Sequence, residues 1–127
     1  MAGVLLESVG RSSEALPHLR FAVAHRPDDV GLRDVLACCL VNLGCAGEAR
    51  THLEQIVDAQ PHNAKARFNL GRCLLDCRAF AEAERLYSDF VRDHPGDAEG
   101  YSHLGLARLA RRDPDGAELC FRASLRM

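Results

Sequence analysis

The chain has 127 residues, 47% of them hydrophobic, with no Trp and only seven Phe and Tyr together. That composition suits many small aliphatic contacts between helices, and a chain of this length buries roughly two-thirds of its unfolded surface. A net charge of −2 with both signs interleaved excludes a nucleic-acid footprint and a membrane-surface patch.

The opening residues Met1-Ala2-Gly3-Val4-Leu5-Leu6-Glu7 have no basic start, and their apolar run is too short for a secretory leader. No stretch approaches the ~18 apolar residues that span a bilayer, so a cytoplasmic location is expected. Further along, Pro27, Pro61 and Pro95 fall at intervals of 34. The pairs Leu36-Ala37, Leu70-Gly71 and Leu104-Gly105 keep step with them, and Ala49, Ala83 and Ala117 follow thirteen residues past each Leu. A fixed period of this length marks one supersecondary unit stacked on copies of itself. With each proline at position 32 of its unit, a single repeat domain over 1–127 divides into 1–29, 30–63, 64–97 and 98–127. The first unit is partial, opening at position 6 inside a helix, and the fourth lacks its last residues.

In unit one, Pro17 falls at position 22 and predicts a late start or a kink in the second helix. Unit two repeats Leu36, Leu40 and Leu43 at helical spacing and breaks at Gly44 and Gly47. Unit three carries Leu70, Leu74 and Cys77 on a helix expected over Ala64 to Cys77, with a break at Arg78-Ala79. In unit four, Asp113-Pro114 opens the last helix: an N-cap carboxylate, then a proline whose missing N–H costs nothing there. Between units, Pro-Asp-Asp, Pro-His-Asn and Pro-Gly-Asp stop one helix and open the next. Small residues at position 8 (Ala37, Gly71, Gly105) and position 20 let the two helices of a unit approach closely. Large residues such as Leu70, Leu74 and Tyr87 interlock around them. The last helix leaves Leu119, Cys120 and Leu125 with nothing after it, so self-association through exposed end repeats, or marginal stability, is expected.

Six cysteines raise the question of metal or redox chemistry. Cys39 and Cys73 share position 10, where unit four has Ala107, and such a site is small and packed. Cys73 and Cys77 lie four apart on one helix, a poor geometry for a disulfide. No Cys-x2-Cys or His-x3-His spacing occurs, so a reduced protein with no metal and no cofactor is expected. His25, His62 and His94 lie near helix C-termini and read as caps. No Ser-His-Asp order, paired carboxylates or phosphate loop emerges, and stand-alone catalysis is not expected.

Tyr101-x2-Leu104-Gly105 with Ala117-x3-Phe121, and Leu70-Gly71 with Ala83-x3-Tyr87 and Pro95, resemble the tetratricopeptide repeat family over the whole chain. Arg33 and Arg67 depart from its aromatic at position 4, and Ile56 and Phe90 from its small residue at position 27. The resemblance implies an all-α fold, a right-handed α-solenoid of antiparallel helix pairs. It further implies a non-catalytic scaffold whose first helices line a concave groove through positions 2, 5, 6, 9, 12 and 13. Those positions hold Gly31, Asp34, Val35, Cys38, Val41 and Asn42 in unit two. In unit three they are Lys65, Phe68, Asn69, Arg72, Leu75 and Asp76, and in unit four Glu99, Ser102, His103, Leu106, Leu109 and Ala110. The carboxylate clamp of heat-shock adaptors in this family is excluded, because Asp34 and Glu99 would repel the ligand from its slots.

The groove residues expected to bind are Lys65, Phe68, Asn69, Arg72, Asp76, His103 and Leu106. Asn69 suits a peptide backbone, Phe68 an apolar side chain, and Lys65 and Arg72 an acidic neighbour. Their partner would be a short, extended, partly acidic segment of another protein. Taken alone, Arg72 and Asp76 read as an ordinary i,i+4 ion pair. The alternative implied by the family is a recruitment module of a larger enzyme, as in its sulfotransferase- or glycosyltransferase-linked arrays.

Overall fold

Two residues after each proline of the 34-residue series stands a side-chain oxygen that starts a helix. Asp29 Oδ1 accepts from Leu32 N at 3.1 Å, Asn63 Oδ1 from Ala66 N at 3.0 Å, and Asp97 Oδ1 from Gly100 N at 3.1 Å. Each satisfies a first-turn N–H that has no partner inside its own helix. In the computed structural model, which describes the backbone of residues 2–127 and the side chains of residues 11–127, these caps open α2 (Val30–Asn42), α4 (Ala64–Asp76) and α6 (Ala98–Ala110). Between and around them lie α1 (Ala2–His25), α3 (Ala46–Ala59), α5 (Phe80–Asp93) and α7 (Pro114–Leu125). The described residues are all-α, with no strand. The expected opening at Met1 lies outside them.

Within each helix pair the reversal is closed by backbone bonds, and before α7 the Asp113 carboxylate adds a side-chain cap, accepting from Gly116 N at 3.0 Å. Gly44, Arg78 and Arg112 take φ of 78°, 61° and 63°. Cys45, Ala79 and Asp113, the next residues, donate N–H to Leu40, Leu74 and Arg108 carbonyls at 2.8, 2.8 and 2.9 Å. A left-handed residue followed by a bond five residues back is the Schellman closure. Glycine fills it without strain in the first case, whereas two arginines accept the left-handed cost in the others.

Unit one departs from the sequence expectation. Pro17 neither delays nor ends a helix: α1 runs unbroken from Ala2 to His25 with the proline inside it. A proline removes one N–H from the ladder but leaves the others. Alongside, α2 is tied to α1, where the Cys39 thiol donates to the Ser12 carbonyl at 3.1 Å.

The chain forms two compact units, one up to Ala66 and one from Arg67 to Met127. In the first, α2 packs on α1 and α3 around Leu36, Ala37, Leu40, Leu53 and Ile56, all buried. In the second, the buried set is Leu70, Leu74, Tyr87, Phe90 and Leu104, with Cys73 and Cys120 filling small gaps. A Cβ built on Gly71 would stand 2.4 Å from Tyr87 Cζ, and one on Gly105 would stand 2.7 Å from Phe121 Cε1. Position 8 is glycine where position 24 is aromatic, and alanine (Ala37) where it is Leu53. The departures at positions 4 and 27 also explain each other. Arg67 lies over the Phe90 ring, 5.8 Å from its centroid, and bonds to Asp93 at 2.9 Å, so a cation on a ring occupies the space of an aromatic on a small residue.

Gly71→Ala is expected to lower stability by about 1–3 kcal/mol through overpacking. Adding Tyr87→Leu, which recreates the Ala37/Leu53 combination, should return part of that loss. Gly47→Ala, whose Cβ meets nothing within 4 Å, should be neutral or stabilising. Urea midpoints of the variants check all three.

Candidate functional site

Helical spacing sends Arg72, Leu75 and Asp76 from one side of α4 toward the first helix of the next pair. There the end of α4, the first residue of α5 and the outer side of α6 enclose a cleft of about 330 Å³. Leu75 and Phe80, both half-buried, line it together with exposed Leu106 and Ala110. Arg72, Asp76 and His103 supply its polar groups. Neither Arg72 nor Asp76 is held in an ion pair among the described residues, so the ordinary i,i+4 pair is not formed and both charges face the cleft.

His103 is fixed from behind. Its Nδ1 lies 2.8 Å from the Glu99 carbonyl, which can only accept, so Nδ1 carries the proton and Nε2 is the nitrogen left for a ligand. The ring stands edge-on to Phe68 at 4.7 Å and 5.4 Å from the Tyr87 ring. Phe68 is packed in turn against Tyr87 and Phe90 at 5.6 and 5.7 Å. The Tyr87 hydroxyl donates to the Phe68 carbonyl at 3.0 Å, which ties α5 to α4 beneath the site. Burial is the main cause that pushes the Tyr87 phenol far above its ordinary value; nearby Arg72 opposes this, and Cys73 and Asp76 add to it.

Four of the seven residues expected from the sequence thus meet in one cleft: Arg72, Asp76, His103 and Leu106. Phe68 lies under His103 as a support. Asn69 is half-buried and engaged in an interaction of its own, away from the lining. Lys65 belongs to the compact unit that ends at Ala66, where its Nζ is 3.4 Å from Asp34 Oδ2. Phe80 was missed, because a residue that opens a second helix carries no groove register; only its apolar character right after a break hinted at it.

The six cysteines are thiols, with Cys39, Cys73 and Cys120 buried. Among the described residues no three His, Cys, Asp or Glu side chains gather as a metal site, and no helix is long and apolar enough to cross a membrane. His25 closes α1 through Nδ1, 3.0 Å from the Phe21 carbonyl.

Residues 44–106 match the family described as tetratricopeptide repeat. Solved structures of MamA share the fold. MamA MSR-1 is 20% identical with a TM-score of 0.85, over 92% of this chain and 67% of that one. MamA from Desulfovibrio magneticus RS-1 is 22% identical with a TM-score of 0.83, over 98% and 71%. MamA AMB-1 is 21% identical with a TM-score of 0.83, over 90% and 67%. At one identical residue in five the likeness is one of fold. No curated protein matches the sequence.

Tyr87→Phe should cost about 1 kcal/mol through loss of the bond to Phe68. The phenol also sets an alkaline dependence. A raised folded value leaves stability whole below the ordinary pKa of 10.0 and erodes it as pH climbs from there toward the folded value. Denaturant titrations above that pH should show a steeper decline in the parent than in Tyr87→Phe.

Proposed function

We propose that this chain, a tetratricopeptide repeat protein through residues 44–106, is a non-catalytic scaffold that holds a segment of a partner protein in the cleft between α4 and α6. The reading takes 30–63, 64–97 and 98–127, with the partial 1–29, as repeats of one domain. The observation that carries it is the pairing of an apolar floor with charges left unneutralised. Leu75, Phe80 and Leu106 can cover an apolar side chain, while Arg72 and Asp76 stand ready for a base and an acid of the partner. A purely acidic segment fits less well than the sequence suggested, because Asp76 shares the cleft with Arg72 and Lys65 faces Asp34. His103 adds Nε2 as a polar contact held in a set direction. Exposed pairs of this kind contribute little to fold stability, so their value lies in selecting what binds.

The test uses a partner recovered by crosslinking in cells and then titrated by calorimetry. Arg72→Glu and Leu106→Glu should each weaken binding roughly tenfold or more, with helical circular dichroism unchanged. If both bind like the parent while Arg85→Glu, on exposed α5 surface, abolishes binding, the cleft is the wrong surface.

A further inference from the structure

α7 presents the cleft with its own complement. Its inner side is pinned to α6: Ser124 Oγ donates to the Ala98 carbonyl at 2.9 Å, and Phe121 fills the space over Gly105. That pinning fixes which residues face outward. They are Glu118 and Arg122, one turn apart and joined at 2.7 Å, flanked by Leu119 and Leu125. These leucines are 68% and 86% exposed, the most exposed large hydrophobics of the second unit.

We infer that the occupant of the cleft is α7 of a second copy of this chain, an assignment that rests on the cleft being a docking site. Arg72 and Asp76 are four residues apart on α4, and Glu118 and Arg122 are four apart on α7. The same rise of about 6 Å separates the charges of each pair. Set parallel, the two helices bring Glu118 to Arg72 and Arg122 to Asp76, so that four charges alternate in sign. Set antiparallel, the same residues meet as Arg122 on Arg72 and Glu118 on Asp76, with like charges opposed. Charge therefore selects both the register and the direction. In the parallel register Leu125 lies one turn beyond Arg122, where Phe80 and Ala110 close the far end of the cleft. The giving and receiving surfaces differ, so the contact is heterologous, and each copy in an assembly both donates an α7 and receives one.

The test is a reciprocal charge exchange in the full chain, followed by sedimentation equilibrium. The parent should show a weight-average mass that rises with concentration. In the cleft variant R72E/D76R and the helix variant E118R/R122E opposite charges meet only in the antiparallel direction, which carries Leu125 away from Phe80, so each should associate at least roughly tenfold more weakly. Both keep opposite charges at i,i+4 and should retain the parent's circular dichroism. An equimolar mixture of the two restores complementary charges at every junction and should associate as the parent does. L125S, which leaves the charges alone, should also weaken association. A parent that stays monomeric, variants that associate like it, or a mixture no larger than its components each overturn the inference. A monomeric parent that still binds a different partner through Arg72 overturns this assignment and leaves the cleft as the binding site. Loss of both overturns the reading beneath it.

Discussion

The distance between paired helices is set by the sum of two side chains, at positions 8 and 24 of the repeat. In unit three that sum is a hydrogen atom and a phenol ring, Gly71 and Tyr87, and the ring occupies the place of the missing Cβ. From this one contact the rest follows. The close approach brings the Tyr87 hydroxyl within bonding distance of the Phe68 carbonyl. The ring face then packs against Phe68, and both pack against His103. A residue at the cleft wall is therefore oriented by a steric match on the far side of its helix layer. Close-packed interiors transmit such constraints because they leave no slack for adjustment.

Charge has a different part in this molecule. The guanidinium of Arg67 is nearly covered, lies on an aromatic ring and replaces an apolar contact within the repeat, so it belongs to the packing. Arg72, Asp76, Glu118 and Arg122 are exposed and add little to folding. Their arrangement along two helices carries direction, since a pair of opposite charges at helical spacing distinguishes a parallel neighbour from an antiparallel one. Screening at physiological salt limits how far such charges act, which confines them to discriminating what already touches.

Repetition made most of the fold legible. The prolines, the Asp or Asn two residues later, and the Leu-Gly and Ala positions each recur, so a single assignment is checked several times over by the chain itself. Cys39 and Cys73 were readable as packing residues because Ala107 occupies the equivalent position. In unit one the late start expected at Pro17 does not occur, since one helix runs through the proline. In the cleft, register puts Arg72, Asp76, His103 and Leu106 on one side, and all four line it. It could not tell that Phe68 would be claimed by Tyr87 and Phe90, or Lys65 by Asp34, since both depend on which atoms arrive from other helices. Phe80 came from an element with no register toward the cleft at all.

The chain contains no Trp, and both of its tyrosines, Tyr87 and Tyr101, lie beyond Ala66 in the second compact unit. Its intrinsic near-ultraviolet emission is therefore a local reporter. Loss of the Tyr87 environment would register strongly, while the first unit, with Phe21 as its only aromatic side chain among the described residues, would open without an optical signal of its own. An unfolding curve followed by tyrosine emission would describe one half of the molecule, and one followed by backbone dichroism would describe both. The separation between the two curves would measure how far the halves lose structure independently.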